Sequence, residues 1–109
     1  MPPTYLYVLT RDRSLEPSND PTPRPPALLY STVSPREHSG FSRYNLLSFL
    51  RHNFPSHSIF TQVVESIILD RERSLHSFLP ECHYSKTDPS GITLTLHVYA
   101  LPPAQEPAT

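Results

Sequence analysis

Proline decides where this chain can build regular structure. It has no amide hydrogen and a fixed φ, so it is tolerated at element ends and in loops and resisted inside helices and sheets. The 109-residue chain has 14 prolines: Pro2-Pro3, five within residues 14–26, Pro35, Pro55, Pro80, Pro89, and a final group that opens with Pro102-Pro103. The stretches between them must each carry their own periodicity, and six of them do.

Tyr5-Leu6-Tyr7-Val8-Leu9-Thr10 is rich in β-formers and lies between Pro2-Pro3 and Arg11-Asp12-Arg13, which predicts a first strand. Apolar side chains on both of its faces predict cover on two sides. Residues 14–26 have almost no apolar side chain to offset their ordering entropy and read as a loop or polyproline-like linker. Ala27-Leu28-Leu29-Tyr30-Ser31-Thr32-Val33 reads as a second strand, stopped at Ser34-Pro35.

From Phe41 the period changes. Phe41, Tyr44, Leu47, Leu50 and Phe54 recur at three- and four-residue steps, which predicts an amphipathic helix that Pro55 ends. A second helix is expected after Ser56, its stripe formed by Phe60, Val63, Val64, Ile67, Arg71, Leu75 and Phe78, widened by Ile59, Ile68 and Leu69, and closed at Pro80. Residues 81–86 and 92–100 flank Thr87-Asp88-Pro89-Ser90-Gly91, whose Asp, Pro and Gly are turn chemistry, and so read as a β-hairpin. In its second strand Ile92, Leu94, Leu96, Val98 and Ala100 point one way, Thr93, Thr95, His97 and Tyr99 the other.

The order strand, strand, helix, helix, strand, strand predicts an α+β fold, a small, mainly antiparallel sheet with two helices packed on one face. A single domain is expected over residues 4–101, containing the Pro-rich loop at 14–26, with a disordered tail at 102–109.

Charge recommends no polyanionic partner. Nine Lys and Arg against ten Asp and Glu give a formal net charge of −1, and the two signs alternate, as in Asp70-Arg71-Glu72-Arg73. Neither nucleic acid nor an anionic membrane is therefore expected as a partner. The longest apolar run is five residues, far below the roughly 18 that span a bilayer. One cysteine, Cys82, cannot form an internal disulfide, and no leader pattern or Asn-x-Ser/Thr sequon is seen, so a cytoplasmic or nuclear location is expected.

Two glycines, Gly40 and Gly91, are too few and too far apart for a dinucleotide fingerprint, a P-loop or a Gly-x-Ser-x-Gly elbow. Among six histidines, the best metal-like cluster is Glu72, His76, Cys82 and His83, but its spacing matches no recurrent site. No metal and no cofactor are expected. His38, His52 and His57 are less well placed, since Pro55 breaks the helix between the latter two. Pro2-Pro3-Thr4-Tyr5 has the form of a WW-domain ligand, though Tyr5 also begins the first strand. Pro23-x-x-Pro26 fits a loose SH3-ligand form, and Thr22-Pro23 and Ser34-Pro35 are sites for proline-directed phosphorylation.

The feature with most functional content is the apolar excess on the second helix. A small sheet covers one stripe of a helix, so the remainder needs the first helix or another chain. The expectation is a non-catalytic adaptor or subunit of a larger complex, binding a protein partner or a second copy through Ile59, Val63, Val64, Ile67 and Ile68 and through an edge of its sheet. The competing reading is a small enzyme or ligand-binding domain with a pocket on the final hairpin, lined by His83, Tyr84, His97 and Tyr99.

Overall fold

The computed structural model describes residues 4–14, 19, 21, 22, 24–34, 43–73 and 81–101. Four strands, Thr4–Arg11 (β1), Ala27–Ser34 (β2), Glu81–Thr87 (β3) and Thr93–Leu101 (β4), form one antiparallel sheet in the order β2-β1-β4-β3. Two helices, Arg43–Asn53 (α1) and Ser58–Arg73 (α2), follow β2 and precede β3. The fold is thus α+β with ββααββ connectivity. No described helix is long and apolar enough to cross a membrane.

The hairpins meet in the middle of the sheet, where β1 pairs with β4 from Thr4↔Leu101 to Arg11↔Leu94. That register aligns two alternating patterns. Tyr5, Tyr7 and Leu9 of β1 and Leu94, Leu96 and Val98 of β4 share one face and are buried. Leu46, Leu47 and Leu50 of α1 and Phe60, Val64 and Ile68 of α2 complete the same core, so both helices lie on this face. Each helix buries positions three and four apart, the stripe an amphipathic helix offers a sheet. Phe41, Leu75 and Phe78 lie outside the described residues.

The helices are joined by a single 3-10 turn at Pro55–His57. Phe54 before Pro55 has φ −133° and ψ 60°, out of the helical region as the proline ring requires. The Phe54 amide donates to the Leu50 carbonyl at 2.8 Å and the His57 amide to the Phe54 carbonyl at 3.0 Å, so the break leaves these amides paired. An aromatic path crosses the helical layer from one sheet edge to the other: Tyr30, Phe49, Phe54, His57, Phe60 and Tyr84, with successive ring centroids 5.3 to 6.3 Å apart.

The β1–β2 register shifts between Leu9 and Thr10, which pair with Tyr30 and Leu28. Leu29 is the extra residue, a β-bulge. It packs against the core beside Tyr30, while Leu28 is left 65% exposed.

Among the described residues, the sheet is covered on one side only. The expected second cover over β1 is not found among the described elements, and Leu6 and Val8 are half-buried on the face away from the helices. Residues 102–109 and, within the Pro-rich loop, residues 15–18, 20 and 23 lie outside the described residues, as do Pro2 and Pro3 and the side chain of Ser34.

Candidate functional site

Three places bring chemically useful side chains together. The first is the junction between the 3-10 turn and the β3–β4 turn. Asp88 opens the latter, with Gly91 at φ +90° closing it and donating its amide to the Asp88 carbonyl at 3.0 Å. The Asp88 carboxylate accepts from Ser90 Oγ at 2.6 Å and the Ile92 amide at 2.9 Å through Oδ1, and from Ser56 Oγ at 2.8 Å through Oδ2. His57 Nε2 donates to the Ile92 carbonyl at 2.9 Å, and its Nδ1 lies 3.5 Å from Asp88 Oδ2. Both side chains are almost wholly buried, at 1% and 2% exposure. Hydrogen bonds from Ser90, then Ser56 and the Ile92 amide, reinforced by His57, outweigh burial and hold the Asp88 carboxyl well below the ordinary carboxylate range.

A Ser, a His and an Asp are therefore in contact, but not in the order that nucleophilic catalysis needs. That chemistry requires the hydroxyl on one imidazole nitrogen and the carboxylate on the other. Here Ser56 bonds to the carboxylate itself, and Nε2 is spent on a backbone carbonyl. The arrangement can lock two turns together; it cannot activate a hydroxyl. A pocket of about 500 Å3 opens beside it, lined by Ile59, Phe60, Lys86, Thr87 and Pro89 among others.

The second place is the uncovered face of the sheet. In its rows stand Val33, Leu6, Tyr99 and Glu81, then Ser31, Val8, His97 and His83, then Leu28, Thr10, Thr95 and Ser85. One end is apolar. The other is hydroxylic, tied across β3 and β4 by Ser85–Thr95 at 2.6 Å and Thr87–Thr93 at 2.7 Å. The histidines stand at the boundary, their ring centroids 6.4 Å apart, and Tyr99 stacks on His97 at 6.1 Å. His97 is half-buried, its Nε2 3.3 Å from Thr10 Oγ1. Burial, then the neighbouring His83, push its pKa down, which favours the neutral ring.

The third place is the helix face from which partner binding was expected. Val64 and Ile68 are fully buried in the core and Val63 and Ile67 are half-buried. Only Ile59 stands out to solvent, 58% exposed. α1 supplies the rest of the cover, with Arg51 bridging to Glu65 at 2.9 Å across the helix pair.

The four residues expected to share a pocket are divided. His83, His97 and Tyr99 border a concavity of about 320 Å3 on the uncovered face, whereas Tyr84 points into the helical layer and stacks on Phe60 at 5.5 Å. Side chains one residue apart on a strand leave opposite faces, which separates Tyr84 from His83. The same alternation splits the metal-like cluster, because Cys82 packs against the core and His83 is exposed. His76 and the Glu72 side chain lie outside the described residues, and among the described residues no three His, Cys, Asp or Glu side chains form a metal-binding group. The Asp88 junction was missed by sequence reasoning. Its one signal was the turn sequence Asp88-Pro89-Ser90-Gly91, in which an Asp can bond its own backbone two or more residues on.

No family model matches the chain, and no curated protein or solved structure is significantly similar to it.

Proposed function

We propose that the chain is a non-catalytic binding module, a small adaptor or subunit of a larger cytoplasmic or nuclear complex, which docks a protein partner on the uncovered face of its sheet. The observation that carries this reading is the composition of that face. An antiparallel sheet with helices on one side usually turns polar side chains to water on the other. Here one end of the face carries Leu6, Val8, Val33, Tyr99 and Leu101, with Leu28 apart among the hydroxyls, and Glu81 at its margin is its one formally charged residue within the paired strands. Contiguous apolar surface with a polar border is the signature of a surface that another molecule covers.

The wiring of the Asp88 junction supports the non-catalytic part, since Ser56 is spent on the Asp88 carboxylate and His57 Nε2 on a backbone carbonyl. The burial of Val64 and Ile68 moves the proposed contact from α2 to the sheet. The expected partner presents apolar side chains to Leu6, Val8, Val33 and Tyr99 and needs no net charge of its own.

The test is affinity purification of the full chain from the cells that make it, beside light scattering at several concentrations to detect a second copy. A Leu6→Glu/Val8→Glu variant should lose the partner or dimer and keep its circular dichroism, because both positions face away from the core. Ile59→Glu should bind like wild type. If Ile59→Glu abolishes binding and the sheet variant does not, the contact lies on α2 and the sheet-face reading is wrong.

A further inference from the structure

The cross-strand pair His83 and His97 sets two imidazoles side by side on the face of the sheet away from the helices. The two residues are directly opposite in the β3–β4 register, on the uncovered face, with ring centroids 6.4 Å apart and ring planes 35° from parallel. Directly opposed residues on neighbouring strands carry their Cβ atoms about 4.5–5.5 Å apart. Two imidazoles on one tetrahedral ion need donor nitrogens about 3.3 Å apart, given metal–nitrogen bonds of about 2.0–2.1 Å. His83 is exposed, so a turn of its ring towards His97 closes the gap without disturbing the core. Thr10 Oγ1 lies 3.3 Å from His97 Nε2, and in the tautomer whose Nε2–H donates to that hydroxyl Nδ1 carries the lone pair. A hydrogen-bonded second nitrogen is how metal-ligating histidines have their tautomer and ring angle fixed.

The surroundings fit an ion. The pair borders the concavity of about 320 Å3 with Glu81 and Tyr99, and the carboxylate of Glu81, two residues before His83 on the same face, supplies negative charge nearby. Lys86 points to the opposite face of β3, so no cation stands in the same row.

We propose that His83 and His97 together bind one late first-row divalent ion, Zn2+, Ni2+, Co2+ or Cu2+, with water in its remaining positions. Imidazole nitrogen selects these metals over Mg2+ and Ca2+, which take oxygen ligands. This site does not depend on the docking reading.

The experiment is titration of the full chain with ZnCl2 and with NiCl2, followed by calorimetry and by the side-chain NMR signals of the six histidines. One equivalent should bind, with the His83 and His97 ring signals moving together and the others still. His83→Ala and His97→Ala should each weaken binding by about tenfold or more. His52→Ala, on the exposed surface of α1, should leave it unchanged, and MgCl2 should produce no shift. If His97→Ala fails to fold, His83→Ala, at an exposed position, decides the matter alone. Zn2+ binding that survives His83→Ala, or that vanishes with His52→Ala, overturns the proposal, as does no binding by wild type.

Discussion

Asp88 shows how one residue can carry a fold. Its carboxylate gathers two hydroxyls, a backbone amide and an imidazole from segments more than 30 residues apart. Because its folded-state pKa is depressed, the stability it adds is present above its unfolded value of about 3.9 and is lost as pH falls through that value towards the folded one. Urea unfolding measured from pH 7 down to pH 3 should therefore show wild type losing stability more steeply at the acid end than Asp88→Asn, which should be the less stable of the two at pH 7. Parallel curves would mean that the anion is not what holds the junction. Gly91 is a second residue-scale case. Its φ of +90° is forbidding for a side chain, yet a Cβ placed there meets nothing within 4 Å. Gly91→Ala should cost about 1–2 kcal/mol through backbone strain alone, read as a shift in the urea midpoint without a change in slope.

At the scale of elements, α2 combines a buried stripe with an exposed flank. Phe60 is fully buried between Tyr84 and His57, and Ile59 beside it is mostly in water. Phe60→Ala should destabilise by about 3–5 kcal/mol, whereas Ile59→Ala should fall within about 0.5 kcal/mol of wild type. Equal costs would mean that the helix is rotated from the orientation described. The Arg51–Glu65 bridge between α1 and α2 is 60% and 42% exposed, so screening leaves it little net effect. Glu65→Gln should change stability by less than about 0.5 kcal/mol. The helices are held by their apolar stripes and the aromatic path across them.

For the whole molecule, the central pairing joins the two ends of the chain, since β1 and β4 are neighbours and the two hairpins flank both helices in sequence. Neither hairpin owns a core of its own, because Tyr7, Leu96 and Phe60 belong to one cluster. Unfolding followed by far-ultraviolet circular dichroism and by tyrosine fluorescence should give coincident urea transitions; separated transitions would show that a hairpin melts independently. The continuous β-forming run at residues 5–9, the alternation at 93–100, the helical steps at 46–50 and 60–68, and the prolines that separate them were all local signals. For that reason the element order and the α+β class were legible, as were the turn at Asp88 and the stripe that α2 buries. Which apolar surplus would be left open was not. On α2 the excess looked available because periodicity records how wide a stripe is, not how much of it a neighbouring helix covers. On β1 the apolar residues of both faces predicted two covers, and the described elements supply one. The partners of His57 and the bulge at Leu29 depend on contacts between segments distant in sequence, whereas the closeness of His83 to His97 was legible in the final hairpin. By itself the sequence determined where the chain is helical, extended or broken, through short-range sterics and period. Only the tertiary structure decided which faces are closed and what His57 and Asp88 bind, because those depend on contacts between segments that no local pattern encodes.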